Sequence, residues 1–111
     1  MTADTARIAD AVAAQRDLVA SLFDQLRQDG RDEPGVTRDP YGAGEQRAHA
    51  TVATAGERLG LTIERDAAAN LYLTRPGRDR AAPRVVIGSH LDSVPHGGNF
   101  DGAAGVVAGL A

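Results

Sequence analysis

An α/β fold is predicted from three observations. Apolar residues recur at helical spacing in two separate stretches, short apolar runs bounded by turn signals follow them, and a β-branched run at residues 84–88 leads towards a Gly- and Ala-rich helical end. In the first stretch Ile8, Val12, Val19, Leu22 and Leu26 form the stripe and Leu18 and Phe23 widen it, so residues 5–28 read as one amphipathic helix. Gly30 and Pro34 stop it. Such a stripe is a packing face and carries no chemistry.

Residues 29–41 form a polar loop punctuated by Pro and Gly, in which Arg38 reads as a solvated or capping side chain. Ala48, Val52, Ala55 and Leu59 mark a second helix over 44–59, with Glu45 in the first turn, where negative charge suits the helix dipole, and Gly60 at C′. His49 sits among polar neighbours and reads as a surface histidine. Residues 61–65 and 70–74 then read as two strands around a short turn, ended by Pro76-Gly77. A charged surface connection over 75–83 follows. Residues 84–88, Arg-Val-Val-Ile-Gly, have the composition of a buried parallel strand, and 102–111 of a helix opening on small residues.

Composition excludes several function classes. With 111 residues, 42% hydrophobic content and a net charge of −3, the chain is an ordinary globular sequence of single-domain length. Its 12 basic residues are scattered among 15 acidic ones, which leaves no basic stripe to track a nucleic-acid backbone. No apolar stretch approaches the ~18 residues of a membrane span. Arg7, Asp10, Arg16 and Asp17 interrupt the first 20 residues, so no signal-peptide core is expected there, and a cytoplasmic location is the default. Cysteine is absent, so a bound metal has to use imidazole and carboxylate.

The chemistry concentrates after residue 88. In open α/β folds ligands bind beyond the carboxyl ends of the strands, and there the chain has Ser89-His90-Leu91-Asp92. In extended backbone His90 and Asp92 point to one side, so one can bind a metal while the other orients it. Gly97-Gly98 turns the chain back to Asp101, which opens the last helical stretch. Taken alone, His90 reads as a rim histidine and Asp101 as an ordinary N-cap. Together, an H-x-D at a strand end, a Gly-Gly turn and an Asp-Gly helix start favour a site, because the glycines weaken the elements that they interrupt.

The same residues carry a family resemblance. The stretch SHLDSVPHGGNFDGAAGVVAGL resembles the first metal-binding segment of the hydantoinase/carbamoylase-type zinc amidohydrolases of the M20 metallopeptidase-like superfamily. Gly35-Val36-Thr37-Arg38 with Tyr41 resembles that group's Thr-Arg-x-x-Tyr stretch. Leu59-Gly60-Leu61 and Asp66-Ala67-Ala68-Ala69-Asn70 resemble its Gly-Leu strand and Asp-x-x-Gly-Asn-Leu turn. Ala69 replaces the usual Gly, which makes left-handed geometry there more costly, and Gly42 replaces the usual Ser or Thr, which weakens the next helix's N-cap.

The resemblance implies a three-layer αβα, zinc-exopeptidase-like catalytic domain. It implies that His90 binds one metal, that Asp101 bridges two, and that Asp92 orients His90. Arg38, His96, Gly98 and Asn99 are implied at the cleft, with His96 a rim residue in preference to a third ligand. Two divalent ions per complete site are implied, zinc first, with manganese, cobalt or nickel compatible with the same donors.

A catalytic zinc takes three protein ligands and an open position, and this chain offers His90, Asp101 and at most His96. In the family pattern the paired Glu, one the general base, and further His ligands come later. The 111 residues are therefore expected to be the N-terminal portion of a catalytic domain, inactive alone, with the remainder and a dimerisation domain outside the chain. The expected reaction of the complete protein, a homodimer acting on a small molecule, is hydrolysis of a C–N bond in N-carbamoyl amino acids, ureido acids or related linear amides. The alternatives are a dipeptidase or aminoacylase of the same superfamily and a non-catalytic scaffold fragment.

Overall fold

The computed structural model describes residues 2–111. The single long helix expected at the start is two: α1 spans Ala3–Ala13 and α2 Arg16–Gly30. Thr2 caps α1, its Oγ1 accepting from the Thr5 amide at 3.2 Å. Between the helices the Gln15 amide turns to Val12 O at 3.0 Å, three residues back, which tightens the chain out of α geometry. The stripe read in the sequence divides at this point. Leu22 and Leu26 are buried, whereas α1 buries no side chain and leaves Ile8 and Val12 exposed. With no packing on its apolar face, α1 has nothing to hold it collinear with α2.

The loop expected over 29–41 contains a small hairpin, β1 at Arg31–Asp32 and β2 at Gly35–Val36, paired antiparallel. The third helix, α3 at Ala43–Arg58, starts from Gly42, which gives no side-chain cap, as expected. Neighbours compensate: Asp39 Oδ1 accepts the Gly44 amide at 3.2 Å, and the Glu45 carboxylate reaches back to the Tyr41 amide at 2.6 Å. At the other end Leu61 N bonds Gly56 O and Gly60 N bonds Glu57 O, both at 2.9 Å, with Gly60 at φ 76°. This is a Schellman stop with glycine in the left-handed position.

Strands β3 (Thr62–Arg65) and β4 (Leu71–Thr74) form the expected antiparallel pair, with Ile63 opposite Leu73. Their turn is organised by Asp66, whose Oδ1 accepts the amides of Ala68 and Asn70 at 2.9 Å each. Ala69 takes φ 67° there, the left-handed geometry that the sequence marks as costly without glycine. Gly56 has no Cβ to collide with Leu73, so the hairpin packs tightly against α3.

The core joins Leu22 and Leu26 of α2, Ala48, Val52 and Ala55 of α3, and Ala103 and Val107 of α4 (Ala103–Leu110), with Leu91 from the preceding loop. One expectation is overturned. Residues 84–88 are neither a strand nor buried: Val85 is 93% exposed, and Val86 and Ile87 are exposed with it. A strand is held by ladder hydrogen bonds to a neighbour, and both strand pairs of the described residues are hairpins formed elsewhere. The architecture is a mixed helix-and-strand one, and all its strand pairing among the described residues is antiparallel.

Candidate metal centre

Residues 90–94 alternate as an extended segment should. Leu91 and Ser93 are buried, so His90 and Asp92 lie on the outward side together. His90 Nδ1 is 3.1 Å from Asp92 Oδ1 and 3.1 Å from Asp92 O. With acceptors on both contacts, the neutral ring that these bonds favour carries its proton on Nδ1, which leaves the Nε2 lone pair for a metal. That is the pairing by which carboxylates orient ligating imidazoles.

The return of the chain places Gly102, the residue after Asp101, against this ring. Gly102 sits at φ 68°, and a Cβ there would lie 2.5 Å from His90 Cε1 and 2.6 Å from Nδ1, besides striking His90 O. The imidazole occupies the space a side chain at 102 would fill. The N-cap of α4 is Gly102 and makes no side-chain cap bond, so Asp101 does not serve as the ordinary cap that a bland reading gives it. Among the described residues no hydrogen bond engages its carboxylate, which stays exposed one residue from the imidazole cradle.

One imidazole and one free carboxylate suit a borderline divalent cation such as zinc. They are two donors, fewer than the three of a catalytic zinc site, and among the described residues no three His, Cys, Asp or Glu converge. The residues present therefore fit half of such a centre.

His96 does not join them. At φ 53° it turns its Nδ1 towards Asp32 Oδ2 at 3.2 Å, and its amide donates to Thr37 Oγ1 at 3.0 Å, which ties it to the β1–β2 hairpin. Beside it Gly97 forms a two-bond bridge with Val36, at 2.9 and 2.8 Å. Gly98 lies open, with nothing within 4 Å of the Cβ position. Asn99 is half-buried, its Nδ2 donating to Phe23 O at 3.0 Å. Phe100 meets Phe23 edge-on, centroids 4.9 Å apart.

Arg38 departs most from its sequence reading. It is neither solvated nor a cap but fully buried, 0% exposed, with Nε donating to Leu91 O at 2.6 Å. Its terminal nitrogens donate to Asn99 Oδ1 and Asn99 O, each at 3.2 Å. Burial lowers its pKa, while the charges of Asp101 and Asp92 act in the opposite direction. His49 is also buried, not a surface residue. It lies between Glu45 (3.9 Å) and Arg65 (3.3 Å), away from His90, and burial lowers its pKa. No local pattern signals the burial of Arg38, because the groups that receive it lie 53 to 61 residues further along, whereas His49 lies on the same helical face as Val52 and Gly56.

Two clefts lie elsewhere. One of about 430 Å³ runs between α2 and α3 past Leu18, Leu22 and Thr51, and one of about 930 Å³ lies between residues 83–87 and the end of α4. Neither is lined by His90, Asp92 or Asp101.

No family model matches the chain. An N-carbamoyl-L-amino-acid amidohydrolase of Paenarthrobacter aurescens is 37% identical over 97 residues, covering 87% of this chain and 24% of its own length. A ureidoglycolate hydrolase of Oryza sativa subsp. japonica is 32% identical over 101 residues, 91% of this chain and 20% of its length. The crystal structure of a hydantoinase/carbamoylase family amidase from Burkholderia ambifaria superposes with a TM-score of 0.73 at 40% identity, over 83% of this chain and 24% of that one. The chain thus spans about a quarter of the length of such relatives, and over that span it is similar in both sequence and backbone to the hydantoinase/carbamoylase amidases.

Proposed function

We propose that this chain supplies the first half of a divalent-metal centre in a hydrolase of C–N bonds, acting on N-carbamoyl amino acids, ureido acids or related linear amides. The observation that carries the reading is the pairing of His90 with Asp92 against Gly102, the residue after an Asp101 whose carboxylate no cap or ion pair uses among the described residues. Relatives named for N-carbamoyl-L-amino-acid and ureidoglycolate hydrolysis support the substrate class.

In this reading His90 would hold a metal through Nε2, Asp92 would keep the ring's proton on Nδ1, and Asp101 would be the bridging ligand of a two-ion site, zinc first. When bound, such ions polarise the carbonyl and lower the pKa of a water. The remaining ligands and the general base come from residues outside this chain, in a three-layer αβα domain of a cytoplasmic homodimer. Among the described residues no helix is long and apolar enough to cross a membrane.

The chain alone is expected to show no turnover of N-carbamoyl amino acids, allantoate or ureidopropionate with zinc or manganese. Metal-dependent turnover abolished by His90→Ala overturns that expectation. In a complete protein carrying this segment, Asp101→Ala is expected to cost the most activity and empty the site. Asp92→Ala should cost ~10–100-fold, as outer partners of metal ligands do, and His96→Ala least. Steady-state kinetics with metal stoichiometry by mass spectrometry reads all three. Two metals and near-native turnover in Asp101→Ala refute the bridging role.

A further inference from the structure

The loop that follows residue 88 touches the interior at two places, and one buried guanidinium joins them. Arg38 Nε bonds the carbonyl of Leu91, the residue after His90, at 2.6 Å. Its other nitrogens bond the side chain and carbonyl of Asn99, two residues before Asp101, at 3.2 Å each. The main chain repeats the attachment: the Arg38 amide donates to Ser93 Oγ at 2.9 Å, and the Ser93 amide to Arg38 O at 2.8 Å. The space is shaped for the residue by glycines. A Cβ on Gly44 would lie 2.8 Å from Arg38 Cα, and one on Gly30 would lie 3.2 Å from its Cγ.

Burying a guanidinium away from any directly bonded carboxylate is costly, and the stability account alone does not favour it over an apolar side chain. What the group provides is geometry. A planar fork has donors on several sides in fixed directions, whereas a lysine ammonium is a point charge on a flexible stem. We propose that Arg38 is a positioning residue that sets the spacing of His90 and Asp101 by fastening both arms of the loop between them. Its functional meaning rests on the metal-centre reading above; the fastening itself does not.

The test uses the whole chain, with Mn(II) alone as the probe, because paramagnetic broadening in nuclear magnetic resonance registers weak sites. In the unaltered chain, Mn(II) is expected to broaden the His90 ring and Gly102 amide signals together. Arg38→Lys keeps the charge and loses the fork. It is expected to weaken Mn(II) binding by ~10–100-fold, the usual cost of losing an outer support of a metal ligand, and to speed hydrogen exchange at the Ser93 amide at least tenfold. Exchange at the Ile63 and Leu73 amides should not change. Asn99→Ala removes one acceptor of the guanidinium, together with the bond to Phe23 O, without disturbing the charge, and decides the matter if Arg38→Lys fails to fold.

A residue that only added stability would lower the melting temperature and leave both the Mn(II) affinity and the Ser93 exchange of the folded chain unaltered; that result overturns the proposal. If the unaltered chain shows no broadening at His90 or Gly102, the metal reading falls. Exchange at Ser93 then decides the positioning claim by itself, with unchanged protection in the variants overturning it and lost protection sustaining it.

Discussion

Residues 84–88 and 89–101 are adjacent in the chain and opposite in physical character. The first segment holds the longest unbroken β-branched run of the molecule, yet its Val85, Val86 and Ile87 face solvent and belong to no ladder. The second is polar and glycine-rich, yet it is anchored by Leu91 in the core, by Ser93 and Gly97 against residues 36 and 38, and by the Arg38 guanidinium. Hydrophobicity gives a segment something to gain from burial, but order comes only where a partner exists. Loop 89–101 finds its partners within the described residues, and segment 84–88 does not.

The largest effect should separate the two segments directly. Leu91→Ala removes a side chain buried among α2, α3 and α4 and is expected to cost ~2–5 kcal/mol, while Val86→Ala should stay within about 0.5 kcal/mol. Chemical denaturation of both variants reads the difference, and equal losses would break the comparison.

Gly102→Ala should come next. The left-handed φ of 68° costs an alanine ~1–2 kcal/mol, and the new methyl displaces the His90 ring. The expected signature is a moderate loss of melting temperature together with a shifted His90 ring resonance. An unmoved ring would show that the loop is looser than the glycine contact implies.

Acid sharpens the comparison from the core side. Burial holds the pKa of His49 below its ordinary 6.5, so in the window below 6.5 the unfolded chain binds more protons than the folded one. Stability is therefore full above pH 6.5 and falls as the pH drops through that window. A melting series should show this slope, and His49→Gln, which cannot titrate, should flatten it.

The smallest effect on stability is expected from Val86→Lys, within about 0.5 kcal/mol, because the side chain is exposed. Its effect should appear in association instead. Exposed β-branched runs pair edge to edge and lysine blocks this, so size-exclusion chromatography should shift towards monomer in the variant. A parent chain that is monodisperse at every concentration would count against the exposed run as a sticky surface.

What could be read from residues alone was whatever depends on neighbours in sequence. The Gly60 stop, the β3–β4 hairpin around Asp66, the start of α4 and the placing of His90 and Asp92 on one side all follow from spacings of two to four residues. Those spacings survive whatever the chain packs against. The break between α1 and α2 and the exposure of residues 84–88 do not follow from such spacings. Each depends on which surface is near, and apolar periodicity records the wish for a partner without its presence. Arg38 is the sharpest case. Its residue type and polar neighbours predict a solvated side chain, and only the fold brings Leu91 and Asn99, more than 50 residues distant, close enough to accept from each of the three guanidinium nitrogens. A buried charge is tolerated only where the acceptors are already in place, and placing acceptors from distant parts of the chain is something tertiary structure alone can do.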